Sequence, residues 1–204
     1  MDLYYEDLGK GVPILLIHPA GATASTWGPT IDQLARIGRV IAYDRRGYAR
    51  SGGAPARAMS THTADAVALL ESLRTPPAVV VGTSAGAAIA VDLAVRRPDL
   101  VRAVVAHEFP WRFTLHLPSA SQIAALAKIG SLALLGRKSE AAEALLRSAY
   151  SYREGGSAWD DFPEEWRRAG RANARAALAL RPARAYDPII NRAVTCEAAG
   201  KDRV

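Results

Sequence analysis

Residues 82–86 form the pentad Gly-Thr-Ser-Ala-Gly, which places Ser84 between two glycines. An apolar, β-branched run at 79–81 precedes the pentad, and small residues at helical spacing follow it. This pattern predicts a strand, a tight turn and a helix, with the serine hydroxyl exposed on the turn. A hydroxyl that a base can reach in this way is a candidate nucleophile. Glycine is the residue type expected at positions 82 and 86, because a β-carbon at either position would crowd the strained serine.

Other reactive side chains also follow strand-like apolar runs. They are His18, Asp44, His107, Glu108 and, near the end of the chain, Asp202. Strand patterns alternate with helical patterns through the first half of the sequence, which predicts an α/β protein with a mostly parallel, doubly wound sheet. Carboxyl ends of parallel strands meet at one rim, so we expect these residues to share that rim with Ser84.

The second half of the sequence has a different pattern. Helical spacing predicts helices over 123–135, 139–150 and 164–180, and the next strand pattern comes at 193–198. Residues 101–106, apolar except for Arg102, are predicted to form a fourth buried strand, covered on both faces like the strands before it.

Composition excludes several classes of function. The 204 residues carry a net charge of +6, but the basic residues are scattered, which disfavours nucleic-acid binding. Cys196 is the one cysteine, so no disulfide can form within the chain and a cytoplasmic location is expected. The acidic N-terminus does not resemble a signal peptide, and the longest apolar stretch, 75–91, is broken by prolines and glycines, so no membrane span is expected.

Three motifs occur in order, each after a strand pattern: His-Pro-Ala-Gly at 18–21, Asp-Arg-Arg-Gly-Tyr-Ala-Arg-Ser at 44–51, and the pentad at 82–86. With these motifs the sequence resembles the α/β-hydrolase family over essentially its whole length. The resemblance implies the α/β-hydrolase fold with an all-helical cap insert. It divides the chain into a core over 1–116, a cap over 117–182 and a second, incomplete part of the core over 183–204.

The resemblance also implies a chemistry, the hydrolysis of an ester or related acyl bond of a small molecule through an acyl-Ser84 intermediate. The backbone N–H groups of Ala20 and Ala85 would form the oxyanion hole, and no metal or organic cofactor is implied. The remaining motif residues would shape the loops, and they are His18, Gly21, Asp44, Gly47, Gly82 and Gly86.

The acid and the base are less clearly indicated. By the resemblance Asp202 is the expected triad acid, with Glu108 as the alternative. The family places its histidine after one further strand, and no histidine follows His116 in this sequence. His107 is the alternative base, although its order along the chain differs from that of the family, and His62 is expected on a solvated helical turn.

From this pattern we expect a chain shortened at its C-terminus, where the last strand–helix unit would be missing, and also at its N-terminus. Other reactions that use a serine on such a turn stay open: carbon–carbon bond hydrolysis, acyl transfer and haloperoxidase-like chemistry. A non-catalytic small-ligand-binding protein, or an inactive fragment, on the same fold is the alternative function. A nucleotide-binding reading is disfavoured because Gly-x-Gly-x-x-Gly and Gly-Lys-Ser/Thr motifs are absent from the sequence. The sequence does not indicate an oligomeric state.

Overall fold

The computed structural model describes residues 2–109, 120–152 and 155–179. Within these ranges one sheet contains the strands β1 (Tyr5–Gly9), β2 (Pro13–Ile17), β3 (Arg39–Tyr43), β4 (Ala78–Thr83) and β5 (Val101–His107). The strand order is β1-β3-β2-β4-β5, with β1 antiparallel to β3 and the other pairs parallel. The predicted mostly parallel sheet is therefore confirmed.

The α-helices of the described residues are α1 (Pro29–Ala35), α2 (Met59–Ser72), α3 (Ala85–Arg96), α4 (Ala120–Leu134), α5 (Lys138–Ala149), α6 (Glu164–Ala172) and α7 (Ala174–Ala179). Short 3₁₀ turns lie at Ala24–Trp27, Pro98–Leu100 and Ala158–Asp161. The described residues from 120 onward are thus mostly helical, as predicted.

The central strands β2 and β3 are buried on both faces, which explains their apolar runs. Leu15 and Ile17 of β2 pack on the face that α2 and α3 cover. Ile14 and Leu16 point the other way, toward Ile31 of α1. Burial of each such side chain stabilises the fold by roughly 2 kcal/mol.

The prediction that 101–106 is buried on both faces is wrong. β5 is the last strand in the order, so β4 is its one neighbour in the described sheet. Val101 and Val104 pack against the core, while the side chain of Val105 is 51% exposed. The apolar run specifies a strand, but exposure depends on which elements lie beside it, and that is not a local property.

The last predicted helix is interrupted at Asn173, which lies between α6 and α7. The ends of the predicted cap at 117 and 182, the predicted strand at 193–198 and Asp202 all lie outside the described residues. The division into core and cap therefore stays a prediction. No helix in the described ranges has both the length and the apolar character needed to cross a membrane.

Candidate active site

Ser84 lies on the turn between β4 and α3, with φ +52° and ψ −116°. A positive φ at a non-glycine residue costs on the order of 1–3 kcal/mol, so its surroundings must hold it there. The Ser84 N–H donates a 2.9 Å hydrogen bond to the His107 carbonyl, and its own carbonyl accepts one of 3.2 Å from the Ala88 N–H. These bonds fix the turn from β5 on one side and from α3 on the other.

Gly82 and Gly86 are required by close backbone packing. A β-carbon on Gly82 would lie far inside van der Waals contact with the carbonyl of Gly86, and one on Gly86 would overlap the carbonyl of Ile17. The expectation that such atoms would crowd Ser84 itself is therefore corrected, because their nearest neighbours are backbone atoms of α3 and β2. This packing brings the start of α3 directly against the end of β2.

The strand register brings four predicted residues to one rim. Tyr43 pairs with Ile17, Ile17 pairs with Gly82, and Thr83 pairs with His107. The residues that follow these strand ends are Asp44, His18, Ser84 and Glu108. The rim expected from the topology is thus present.

His18 is fully buried and uses both of its ring nitrogens. Nε2 accepts a 3.0 Å hydrogen bond from the Arg45 N–H, so the proton is assigned to Nδ1, which lies 2.8 Å from the Pro19 carbonyl oxygen. Burial, and to a smaller extent the charge of Arg45, hold the pKa of His18 well below its ordinary value. A neutral ring with both nitrogens bonded shapes the loop and has no lone pair available to take the Ser84 proton.

Asp44 is fully buried and connects the loops after β2 and β3. Its Oδ1 accepts a 2.7 Å hydrogen bond from the Ala24 N–H, and its Oδ2 accepts one of 2.7 Å from the Arg50 Nε–H. Two glycines allow close packing in the same loops. A β-carbon would lie 2.8 Å from Pro55 Cα at Gly47 and 2.7 Å from Leu146 Cδ2 at Gly21, and both residues have a positive φ.

The two predicted oxyanion donors have different surroundings. Ala85 is the first residue of α3, where an N–H has no acceptor within the helix and lies at the positive end of the helix dipole. The Ala20 N–H belongs to the same peptide group as the Pro19 carbonyl, which is held by the His18 ring and the Arg45 guanidinium. Within residues 2–109, 120–152 and 155–179, neither the Ala20 N–H nor the Ala85 N–H donates a hydrogen bond that would compete with a substrate oxygen.

His107 is the last residue of β5, Glu108 follows it, and both are exposed. The His107 carbonyl contacts the Ser84 backbone, but the described structure contains no hydrogen bond between the His107 ring and the Ser84 hydroxyl. Glu108 has φ +50°. The pKa of Tyr150 is raised, mainly by burial and further by the Glu108 carboxylate.

The expectation that His62 is solvated is wrong, because it is 1% exposed. Burial, followed by the charges of Arg45 and Arg46, lowers its pKa to about 3. The sequence did contain a signal for this burial: His62 lies four positions before Ala66 and seven before Leu69, on the same face of α2.

A cavity of about 280 Å³ lies between the loop after β2 and the helices α5 and α6. Ala20 and Gly21 form part of its floor. Its opposite wall is aromatic and consists of Tyr150, Trp159, Phe162 and Trp166. These rings also pack on one another, with Phe162 meeting Tyr150 edge-on at a centroid distance of 4.9 Å. These aromatic residues thus pack on one another and also form a wall of the cavity. Among the described residues no group of three or more metal-ligating side chains occurs.

Comparison with known proteins gives a consistent result. The profile of a family described as the alpha/beta hydrolase family matches residues 14–204. The uncharacterized hydrolase YraK of Bacillus subtilis is 37% identical over 110 residues, which cover 52% of this chain and 41% of YraK. An epoxide hydrolase of Caballeronia sordidicola is 34% identical over 115 residues, which cover 54% of this chain and 35% of that enzyme.

The chain thus spans about two fifths of the length of the curated relatives it matches. Among solved structures, Est816, described as an N-acyl homoserine lactone degrading enzyme, superposes with a TM-score of 0.63 at 26% identity. That match covers 95% of this chain and 67% of Est816.

Proposed function

This chain belongs to the alpha/beta hydrolase family, and from that premise we propose that it hydrolyses an ester or related acyl bond of a small molecule through an acyl-Ser84 intermediate. The observation that carries the proposal is the conformation of Ser84. A serine at φ +52° is held between a strand and a helix N-terminus by backbone packing that only Gly82 and Gly86 permit. Four non-glycine residues of the described structure have a positive φ, and Ser84 is the one among them that has a hydroxyl group.

In the proposed reaction the Ser84 Oγ attacks the carbonyl carbon of the substrate while a general base accepts the hydroxyl proton. The developing oxyanion accepts hydrogen bonds from the Ala20 and Ala85 N–H groups, each worth about 3 kcal/mol in such reactions. Collapse of the tetrahedral intermediate releases the alcohol, to which the base returns the proton. Water then attacks the acyl-Ser84 ester and releases the acid.

The acid–base pair is proposed from the sequence. Asp202 is the first candidate for the acid that orients the base, and Glu108 is the alternative. His107 is the candidate base in the described structure, because its backbone is bonded to that of Ser84. Rotation of the exposed His107 ring toward Ser84 would be required. We also propose a cytoplasmic location, on the basis of the single cysteine.

For the substrate we propose an apolar or aromatic group that occupies the cavity beneath the cap. The four aromatic side chains of its wall offer edges and faces for such a group, and Ala20, which we propose as an oxyanion donor, lines the same cavity. The lactone-degrading activity named for Est816 supports a cyclic or open ester as the reacting bond. We do not propose epoxide hydrolysis, the activity named for one relative, because a serine rather than a carboxylate occupies position 84 of this chain.

A fluorophosphonate probe tests the proposal, because it reacts with activated serines. We expect covalent labelling of the folded wild-type chain at Ser84 and none in Ser84→Ala. Ser72→Ala, which removes a hydroxyl bonded to the Leu69 carbonyl at the end of α2, is the matched control and should label like the wild type. A folded chain that shows no label on Ser84 contradicts the proposed nucleophile.

The cavity also supports a second candidate, a small-ligand-binding protein without catalysis. An aromatic-walled cavity of about 280 Å³ can hold an apolar ligand whether or not Ser84 reacts. The two functions differ in their response to a 4-nitrophenyl ester. If the protein is a hydrolase, the wild type releases nitrophenol and Ser84→Ala does not. If it is a binding protein, neither releases nitrophenol, and the bound ester quenches the fluorescence of Trp159 and Trp166 equally in the wild type and in Ser84→Ala.

A further inference from the structure

The peptide group between Pro19 and Ala20 has one buried end and one end at the candidate site. Its carbonyl oxygen accepts hydrogen bonds from His18 Nδ1 at 2.8 Å and from Arg45 Nη2 at 3.1 Å. Its N–H is the proposed oxyanion donor of Ala20. Because a trans peptide is planar, the C=O and the N–H point in opposite directions, and fixing one fixes the other.

Arg45 is an unusual residue for a fully buried position. Its guanidinium lies over the ring of Tyr48, with Cζ 4.5 Å from the ring centre, and within the described residues its Nε and Nη1 have no hydrogen-bond partner. A buried cation is strongly unfavourable unless it is compensated. The compensation available here is the Tyr48 ring and the Pro19 carbonyl.

The neighbouring arginines are paired differently. Arg46 Nε–H donates to Asp65 Oδ2 at 2.8 Å, and Arg50 Nε–H donates to Asp44 Oδ2 at 2.7 Å. The two buried carboxylates near this loop are thus engaged by other arginines. The charge of Arg45 is directed instead at the carbonyl end of the Pro19–Ala20 peptide.

We propose that Arg45 is a positioning residue of the oxyanion hole, acting through this peptide. Its guanidinium orients the Pro19 carbonyl inward, so the Ala20 N–H points toward Ser84. It also polarises the peptide, and a hydrogen bond at the carbonyl strengthens the N–H of the same amide as a donor. The role rests on the proposed function of Ser84 as an acyl-transfer nucleophile.

The backbone of Arg45 contributes to the same arrangement. Its N–H donates to His18 Nε2, which forces the proton of His18 onto Nδ1, where it is donated to Pro19. This part is independent of the Arg45 side chain. A substitution at Arg45 therefore removes the charge and one hydrogen bond from the carbonyl while the His18 hydrogen bond persists, which makes a folded variant attainable.

The kinetic test compares Arg45→Met with Arg46→Met in the full chain, using 4-nitrophenyl acetate as the substrate. Weakening a preorganised oxyanion donor lowers kcat, so we expect Arg45→Met to reduce kcat about tenfold or more with KM within about twofold. Phenylboronic acid forms a tetrahedral adduct that places an oxygen in the oxyanion hole. Its affinity for Arg45→Met should therefore fall by about the same factor as kcat. Arg46→Met removes a cation of the same loop that pairs with the buried Asp65 and does not contact the Pro19 carbonyl, so it controls for the loss of charge and of stability. The kcat of the folded Arg46→Met protein should change less than about twofold.

A second readout does not depend on catalysis. In ¹⁵N-labelled protein the Ala20 amide resonance should move upfield in Arg45→Met and stay near its wild-type position in Arg46→Met. Arg45→Gln, which is also neutral, should move the resonance in the same direction and serves if the methionine variant does not fold. An unchanged Ala20 resonance or an unchanged kcat in a folded Arg45 variant overturns the proposal. A wild-type chain without turnover or Ser84 labelling refutes the proposed function, and the Ala20 resonance then still decides whether Arg45 positions this peptide.

Discussion

Asn173 accepts a 3.0 Å hydrogen bond at its Oδ1 from the backbone N–H of Ala49. The same side chain donates through Nδ2 to the Ala22 carbonyl at 3.4 Å. Asn173 is buried between α6 and α7, whereas Ala22 and Ala49 belong to the loops after β2 and β3. One amide thus holds the helical part of the chain against both loops of the candidate active site.

Replacement of Asn173 by alanine should loosen this attachment. We expect a loss of about 1 kcal/mol in the free energy of unfolding: two hydrogen bonds are removed, but Ala49 is exposed, so its N–H can bond to water instead. Amide hydrogen exchange at Ala49 should accelerate. In Asn173→Asp the acceptor for Ala49 is kept and the donor to Ala22 is lost, so Ala49 should retain its protection. Equal exchange at Ala49 in all three proteins would show that this contact does not hold the loop.

The packing of α3 against β2 predicts a strong effect of a single methyl group. Gly86→Ala should destabilise the fold by about 2 kcal/mol or more, because its β-carbon would overlap the Ile17 carbonyl. Gly130→Ala in α4 is the matched control, since a β-carbon there meets no atom within 4 Å. Alanine should stabilise that helix by roughly 0.5–1 kcal/mol. Urea unfolding measures both, and similar effects at the two positions would contradict the packing argument.

Asp44 should matter more for stability than an exposed ion pair of the same chemistry. Asp44→Asn removes the charge that compensates Arg50 and turns an amide N–H toward the Arg50 Nε–H. The loss should be about 2–3 kcal/mol, because the buried carboxylate accepts hydrogen bonds from the Ala24 N–H and from Arg50, and the amide cannot accept all of them. Asp7→Asn removes an acid that also pairs with an arginine, Arg39, at the partly exposed edge of the sheet. Asp7→Asn should lower the free energy of unfolding by less than about 1 kcal/mol. Urea unfolding of both variants measures the difference.

Local sequence was sufficient to predict the elements that surround Ser84. The pentad specifies a turn that few residue types can adopt, and the apolar runs at 13–17 and 39–43 specify strands buried on both faces. Because parallel strands place their carboxyl ends together, the rim that contains His18, Asp44 and Ser84 followed from the alternation of strands and helices alone.

Contacts between distant segments could not be predicted in this way. The Asn173 bond to Ala49 joins residues 124 positions apart, and nothing in either neighbourhood indicates the other. The exposure of Val105 depends on which strand lies beside β5. Arg45 lies in a motif whose polar residues predict an exposed loop. Its burial against Tyr48 depends on the folded conformation of that loop, which the sequence does not indicate.

The buried imidazoles predict that the fold weakens in mild acid. The pKa of His62 is about 3 in the folded chain and about 6.5 when unfolded, and that of His18 is lowered in the same direction. Below about pH 6.5 the unfolded chain therefore binds protons that the folded chain excludes, so stability is full above that pH and falls as the pH decreases toward 3. Each such group contributes up to about 1.4 kcal/mol per pH unit. We would measure urea unfolding of the wild type and of His62→Gln between about pH 7.5 and 5. The free energy of unfolding should fall less steeply with decreasing pH in the variant, by a slope that corresponds to roughly one proton. Parallel curves for the two proteins would show that His62 titrates normally in the folded state.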